Sequence, residues 1–247
     1  MIKVLVNGAL GRMGHTVVQT VLQQKDMELV GAVDKFGKDK TVEGCPVDTD
    51  LVRALETCKP DVVVDFTRPD VVMDNLRIIL NAGVNAVVGT TGFTQENLEE
   101  LKGLAEKNGV GILVCPNFAM GAVLMMKIAA EVAKYFPQVE IIEMHHDKKL
   151  DAPSGTAIAL ADVMNQAAGG DYEYVYDRST RREKRPEKEI GISAVRGGTI
   201  VGDHDVIFAG QDEVITFSHM AYSRKLFATG AVSAAKFLAG KPAGMYD

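Results

Sequence analysis

The sequence predicts an α/β protein in which a parallel-sheet domain carries an inserted α+β domain. Short apolar, β-branched segments alternate with amphipathic stretches over the first 117 or so residues, which is typical of βαβ units around a sheet buried on both faces. From about Phe118 the pattern changes to a long apolar helix, a strand, a second helix and then strands without helices between them. A last segment with Phe227, Ala231, Ala234 and Leu238 on one face predicts a helix that returns to the first domain.

The parallel-sheet domain is assigned to residues 1–118 and 222–247. Its strands are expected at residues 2–6, 29–33, 62–66, 85–88 and 112–115. Crossover helices are indicated by apolar residues at helical spacing, namely Met13, Val17 and Val21, then Leu98, Leu101 and Leu104. Thr94 is the expected N-cap of the second of these helices.

The inserted domain is assigned to residues 119–221. The pattern predicts helices at residues 121–135 and 154–168, and strands at residues 139–144, 190–195, 205–209 and 213–220. Because turn signals separate the late strands without helices between them, we expect antiparallel pairing. The Arg- and Lys-rich stretch at residues 177–188 is interpreted as a solvated loop.

Composition and charge exclude several classes of function. The chain has 247 residues, of which 47% are hydrophobic and 24% charged, as in ordinary globular proteins. A formal net charge of −6 gives no general attraction to nucleic acid or to an anionic membrane, so neither is an expected partner. Three widely spaced cysteines, Cys45, Cys58 and Cys115, and no recognisable targeting or membrane segment indicate a reduced, cytoplasmic protein.

A glycine pattern follows the first strand and opens the first helix. Gly8, Gly11 and Gly14, with Arg12 and Met13 between the last two, would let backbone amides approach a pyrophosphate at the helix N-terminus. This arrangement predicts a Rossmann-like nucleotide-binding domain.

A charged pair twenty residues further on bears on the choice of cofactor. Asp34 closes the second strand, where a carboxylate would bind the ribose hydroxyls of a dinucleotide. Lys35 beside it can offset repulsion of a 2′-phosphate, so both NADH and NADPH are expected cofactors. The alternative, a glycine-rich turn and a surface aspartate, explains each signal singly but not their combination.

Two further segments leave the carboxyl ends of predicted strands, where ligands of open α/β sheets gather. They are Gly89-Thr90-Thr91 and Cys115-Pro116-Asn117-Phe118. We predict that both contact the nicotinamide half of the cofactor, although each is also explained as a turn.

The inserted domain contains the densest group of side chains that could bind an anion or transfer a proton. His145, His146 and Lys149 leave a strand and are followed at Ser154-Gly155-Thr156 by the start of a helix. Lysine and histidine can supply charge and a proton to an anion, and helix-terminal amides can hold a carboxylate. Adjacent histidines on a strand point to opposite faces, so no metal site is predicted. The alternative interpretation of this stretch is a surface loop in which Ser154 only caps the following helix.

The run from His145-His146 through Lys149 to residues 151–157, DAPSGTA, closely resembles the signature of bacterial dihydrodipicolinate reductases. The glycine pattern, Gly89-Thr90-Thr91, Asn117-Phe118 and the domain order also resemble that family, so the resemblance covers essentially the whole chain.

The resemblance implies NAD(P)H-dependent reduction of 4-hydroxy-tetrahydrodipicolinate to tetrahydrodipicolinate, with loss of water, on the diaminopimelate route to lysine. It implies His145 as proton donor or acceptor and Lys149 as proton donor. It also implies that His146 and the segment Ser154-Gly155-Thr156 bind the small dicarboxylate substrate, and that the inserted domain builds a homotetramer.

Two other functions remain open at this stage. A different dehydrogenase, acting on an amino acid or an aldehyde, would share the nucleotide domain but need its own signature. A redox sensor would bind the dinucleotide without turnover and would be favoured by loss of His145 or Lys149, both of which are present.

Overall fold

The computed structural model describes residues 1–115 and 117–246. The chain forms two compact units, one made of Met1–Phe118 with Arg224–Asp247 and the other of Ala119–Ser223. The return to the first unit comes two residues later than the boundary expected from the sequence.

The elements alternate regularly before residue 118 and less regularly afterwards. The strands, in chain order, are β1 (Ile2–Asn7), β2 (Met27–Val33), β3 (Thr41–Val42), β4 (Cys45–Asp48), β5 (Val62–Asp65), β6 (Asn85–Val88), β7 (Gly111–Val114), β8 (Gln138–His145), β9 (Glu173–Val175), β10 (Glu189–Arg196), β11 (Asp203–Ala209), β12 (Val214–Met220) and β13 (Gly244–Tyr246). The helices are α1 (Arg12–Leu22), α2 (Leu51–Cys58), α3 (Val72–Asn81), α4 (Gln95–Asn108), α5 (Met120–Val132), α6 (Gly155–Ala167) and α7 (Lys225–Leu238).

The first unit is built on one sheet with strand order β13-β7-β6-β5-β1-β2-β4-β3. Its pairs are parallel except for the short β3–β4 pair. Separate apolar clusters cover the two faces, one including residues of α1 and α7 and the other residues of α2, α3 and α4. The predicted α/β class with a Rossmann-like parallel sheet is therefore confirmed.

The predicted helix capped by Thr94 is present. The Thr94 side chain accepts a hydrogen bond from the amide of Asn97, whose own side chain accepts one from the Thr94 amide. No bounds are predicted from the sequence for α2, α3, β3, β4 or β13. The two-residue β3 and the three-residue β13 are too short to produce a periodic pattern.

The second unit has a mixed sheet with strand order β12-β11-β8-β10-β9, and the prediction of antiparallel pairing is wrong for part of it. The β11 strand is antiparallel to both β8 and β12, but β10 is parallel to β8 and to β9. The physical reason is α6, which lies between β8 and β10 in the chain and provides the crossover that a parallel pair requires.

The basic stretch at residues 177–188 is more than a solvated loop. Arg178, Arg181 and Arg185 all lie within ion-pair distance of Glu189, whose side chain is fully buried. The arginines of this stretch thus neutralise a carboxylate inside the unit. Helices in the described part of the chain are too short or too polar to cross a membrane.

Candidate active site

The glycine turn after β1 has no room for side chains at two of its three glycines. Gly8 has φ +80°, and a Cβ there would lie 2.5 Å from the carbonyl oxygen of Phe66. A Cβ on Gly14 would lie 2.0 Å from the carbonyl oxygen of Gly8. The chain therefore packs closely on itself at the start of α1. Gly11, the N-cap residue, and Arg12, the first residue of the helix, are both exposed.

Asp34 is tied directly to this turn. Its Oδ2 accepts a hydrogen bond from the Leu10 amide at 3.0 Å, and its Oδ1 accepts one from the Phe36 amide at 3.0 Å. The acid predicted for ribose binding thus lies beside the predicted pyrophosphate turn, and Lys35 next to it is exposed. Half-buried Met13 packs against the core below the turn.

Gly89 is placed by an aromatic side chain. Its amide donates to the Asp65 carbonyl at 2.8 Å, and a Cβ on Gly89 would lie 2.1 Å from the Phe66 ring. The Phe66 ring packs against the Phe118 ring with centroids 6.0 Å apart. Phe118 is buried in the core, where its carbonyl oxygen would lie 1.8 Å from a Cβ on Gly230 of α7. The structure thus gives the Phe118 side chain a packing role.

A buried carboxylate organises the same sheet edge. Asp65 is fully buried at the end of β5 and accepts hydrogen bonds from Asn7 at 2.7 Å, from the amide and hydroxyl of Thr67 at 3.0 and 2.7 Å, and from Asn75 at 3.3 Å. Burial raises the pKa of Asp65, and these donors oppose that rise. Asp65, an acid inside an otherwise apolar strand, is not among the site residues predicted from the sequence.

The remaining predicted cofactor residues follow β6 and β7. Thr90 is buried, and its Oγ1 has no hydrogen-bond partner in the described residues, whereas Thr91 is exposed. The Cys115 thiol donates to the Asn117 carbonyl oxygen at 2.9 Å. Pro116 lies outside the described residues.

In the second unit, β8 presents His145 on the buried face of the sheet. Its Nδ1 lies 2.6 Å from Oε2 of Glu143, which is two residues earlier on the same face and has a fully buried side chain. Arg196 of β10 donates to both oxygens of Glu143, at 2.7 and 2.8 Å. Burial alone would raise the pKa of Glu143, but the donors from Arg196 and His145 outweigh it and lower the pKa.

Burial also acts on His145 itself. It lowers the pKa of His145, while the hydrogen bond to Glu143 opposes the shift. The charges of Lys149 and Arg196 lower the pKa further. Together these effects favour the neutral imidazole of His145 over the imidazolium.

Lys149 lies in the loop that follows β8. Its Nζ donates to both oxygens of Asp151, at 2.9 and 2.8 Å, and this ammonium lowers the pKa of Asp151. The Lys149 amide donates to the His146 carbonyl at 3.2 Å. His146 is half-buried, and its Nδ1 has no hydrogen-bond partner in the part of the chain that the structure describes.

The predicted Ser154 cap is present. Its Oγ accepts a hydrogen bond from the Ala157 amide at 3.1 Å and lies 2.9 Å from Nε2 of His204. The Ser154 amide donates to Oε1 of Glu143 at 2.9 Å. Gly155 and Thr156 follow as the first residues of α6, with Gly155 exposed.

The structure therefore brings His145, Lys149 and the start of α6 into one cluster. Sequence reasoning missed Glu143, Arg196 and Asp151, which hold the cluster together. The alternation of side chains along β8 could have identified Glu143, because it shares a face with His145. Nothing in the spacing indicated Arg196, which is 53 residues from Glu143. Within residues 1–115 and 117–246, His, Cys, Asp and Glu form no group that could hold a metal ion.

Comparison with known protein families decides what this pair of units is. The chain matches the family model for the N-terminal part of dihydrodipicolinate reductase over residues 2–118, and the model for the C-terminal part over residues 121–247. The chain belongs to the dihydrodipicolinate reductase family. The resemblance given by the His145 to Ala157 segment is thereby confirmed.

Individual members of this family match along more than nine-tenths of their length. A Methanocaldococcus jannaschii protein named 4-hydroxy-tetrahydrodipicolinate reductase is 41% identical, covering 100% of this chain and 96% of that protein. A Listeria innocua protein of the same name is 45% identical over 92% of this chain and 91% of its own length. A dipicolinate-bound dihydrodipicolinate reductase from Paenisporosarcina sp. TG-14 has a TM-score of 0.84 at 36% identity, covering 99% of this chain and 97% of that one.

More distant structures share the fold alone. An amine dehydrogenase from Mycobacterium smegmatis has a TM-score of 0.70 at 16% identity, over 99% of this chain and 94% of that one. The architecture is therefore shared well beyond the reductase family.

Proposed function

We propose that this protein reduces 4-hydroxy-tetrahydrodipicolinate to tetrahydrodipicolinate, with loss of water, at the expense of NADH or NADPH. The observation that carries the proposal is the cluster of His145, Lys149 and the N-terminus of α6 in a chain of the dihydrodipicolinate reductase family. The product places the enzyme on the diaminopimelate route to lysine.

The first unit fits a dinucleotide because the chain packs closely on its own backbone at Gly8 and Gly14 and so forms a tight glycine turn. The tight approach at Gly8 and Gly14 leaves a turn of bare backbone at the N-terminus of α1, which suits a pyrophosphate. Gly11, Arg12 and Met13 would line this turn. Buried Thr90 supports an additional contact, because its hydroxyl has no partner in the described chain. The bound cofactor supplies a hydride.

We propose that both cofactors are used. Asp34 lies beside the turn through its bond to Leu10 and can accept from a ribose diol. Exposed Lys35 can offset the charge of a 2′-phosphate. Gly89, Thr90 and Thr91, together with Cys115, Pro116, Asn117 and Phe118, are proposed to frame the nicotinamide half.

The substrate is a small dicarboxylate, as is the dipicolinate bound by the Paenisporosarcina relative. Amides at the start of an α-helix bind carboxylates well, so we assign one carboxylate to Gly155 and Thr156. The Ser154 side chain is occupied as the helix cap, and its contribution is to hold these amides in place. His146 is proposed to contact the same substrate.

Proton transfer is assigned to Lys149 first. Negative charge moves towards the ring nitrogen when a hydride reaches a carbon conjugated with the imine, and an ammonium nearby can protonate that nitrogen. Asp151 orients the Lys149 ammonium by accepting two hydrogen bonds from it. His145 is proposed as the second proton-transfer group.

We propose a cytoplasmic homotetramer built through the second unit. The face of its sheet opposite α5 and α6 exposes Val195, Val214 and Met220, at 44%, 64% and 52% of their surface. Apolar residues exposed together on a sheet favour contact with further copies of the chain. Light scattering should then give about four times the 26.6 kDa chain mass.

One assay tests the proposed reaction. NADH or NADPH is mixed with the purified protein and freshly made aldol product of pyruvate and aspartate semialdehyde, and cofactor absorbance is followed. We expect oxidation only when protein and aldol product are both present. Cofactor binding without turnover would instead support a redox sensor or a dehydrogenase for another substrate.

A further inference from the structure

The Glu143 carboxylate accepts more hydrogen bonds than a simple ion pair provides. Its Oε1 accepts from the Ser154 amide at 2.9 Å and from Arg196 at 2.7 Å, and its Oε2 accepts from Arg196 at 2.8 Å. Its Oε2 also lies 2.6 Å from Nδ1 of His145. A carboxylate with three such donors, inside the fold and paired with a guanidinium, is ionised and accepts only.

The hydrogen bond between Glu143 and Nδ1 of His145 can therefore run in only one direction. Because the carboxylate can only accept, Nδ1 of His145 must carry the proton that lies between the two groups. In a neutral imidazole the other nitrogen, Nε2, is then unprotonated. The His145 ring is thus oriented and its tautomer selected by a residue on the same strand.

Nε2 belongs to a side chain that is only 11% exposed, and it has close neighbours. Nε2 of His145 makes no hydrogen bond within residues 1–115 and 117–246. Gly202 faces it, and a Cβ there would lie 2.9 Å from Nε2. The His204 ring meets the His145 ring edge to face, with centroids 5.3 Å apart. The charged and titratable groups acting on His145 are Glu143, Arg196, Lys149 and His204.

We propose that Glu143 is a positioning residue that holds His145 as the Nδ1-protonated tautomer. The unprotonated Nε2 then removes a proton from the substrate carbon next to the hydroxyl-bearing carbon and returns it to the leaving hydroxyl, which departs as water. This inference rests on the proposed function. In it, the Lys149 ammonium donates a proton and the neutral His145 imidazole accepts one. Arg196 neutralises Glu143, so that the carboxylate orients the ring without converting it to imidazolium.

Nitrogen NMR of protein with ¹⁵N-labelled histidine tests the proposal. The His145 signals are assigned by their loss in His145→Gln. At neutral pH we expect wild-type protein to show a protonated Nδ1 and an unprotonated Nε2. A wild-type spectrum with the proton on Nε2 would overturn the proposal, and this arm requires no Glu143 variant to fold.

Glu143→Gln supplies the second arm. A glutamine that keeps its oxygen towards Ser154 presents an amide NH₂ to Nδ1, which should move the His145 proton to Nε2 and lower kcat by about 10²- to 10⁴-fold. Glu140→Gln is the matched control. Glu140 lies on the same strand and also accepts a hydrogen bond from an arginine, Arg185, but its side chain points to the opposite face of the sheet. The control variant should change neither the tautomer nor kcat.

The two arms separate this inference from the proposed function. The NMR measurement does not require turnover. A wild-type protein without reductase activity would therefore overturn the proposed function, and the NMR spectrum would still show whether Glu143 holds His145 as the Nδ1-protonated tautomer. A Glu143→Gln protein with an unchanged His145 tautomer, or with a switched tautomer and wild-type kcat, would overturn the positioning role.

Discussion

Gly14 lies so close to Gly8 that a Cβ on Gly14 would stand 2.0 Å from the Gly8 carbonyl oxygen. The first turn of α1 is thus packed directly on the turn that leaves β1. No L side chain fits at this contact without displacing the turn, and the dinucleotide site proposed here depends on that turn.

Gly14→Ala should therefore weaken dinucleotide binding. We expect the Kd for NADH and for NADPH, measured by fluorescence titration, to rise by at least tenfold. Gly103→Ala in α4 is the control, because a Cβ there meets nothing within 4 Å, and it should bind as the wild type does. Unchanged affinity in Gly14→Ala would show that the turn does not hold the cofactor.

Lys35→Ala should separate the two cofactors. Lys35 is exposed beside Asp34, so its charge can act on a 2′-phosphate, which NADPH has and NADH lacks. We expect KM for NADPH to rise while KM for NADH changes little, with exposed Lys102→Ala as the control. Equal losses for both cofactors would assign Lys35 to another task.

His204 should make the free energy of unfolding depend on pH. Burial, together with the charge of His145, lowers the pKa of His204 to about 4, below the ordinary value of 6.5. The unfolded chain then binds more protons between these values, so the contribution is complete above pH 6.5 and is lost as pH falls towards 4. By linkage it amounts to about 3 kcal/mol at most.

Chemical denaturation at pH 7.5 and pH 5 measures this dependence. His204→Gln should flatten it, leaving a smaller slope from His145 and His219, whose pKa values burial also lowers. Gly103→Ala, which changes no titrating group, should keep the wild-type slope. A His204→Gln protein as sensitive to acid as the wild type would contradict the assignment.

Much of this molecule was predictable because its signals are local. Gly8, Gly11 and Gly14 follow an apolar strand, and the Thr94 cap precedes a periodic helix, so short stretches of sequence carried both predictions. The parallel pairing of β10 with β8 was not predictable in this way, because strands distant in the sequence choose partners through packing. For the same reason the roles of Arg196 and of the arginines around Glu189 became visible only in the folded chain.

Lys149→Ala should lower kcat by about 10²- to 10⁴-fold, the usual worth of general acid catalysis, with dinucleotide affinity unchanged. His146→Ala should instead mainly raise KM for the dicarboxylate, since a binding histidine acts largely in the ground state. Lys148→Ala, which removes an exposed neighbouring charge, is the control. Near wild-type kcat in Lys149→Ala at saturating substrate would make His145 the leading proton donor.

A deuterium label tests whether the protein reduces the dicarboxylate with a hydride from the nicotinamide ring. Cofactor carrying deuterium at the transferred position is supplied with the aldol product of pyruvate and aspartate semialdehyde, and the product is analysed by mass spectrometry. We expect tetrahydrodipicolinate containing one deuterium for each cofactor oxidised. Product without deuterium, or aldol product that dehydrates without being reduced, would show that the protein does not transfer a hydride to the dicarboxylate.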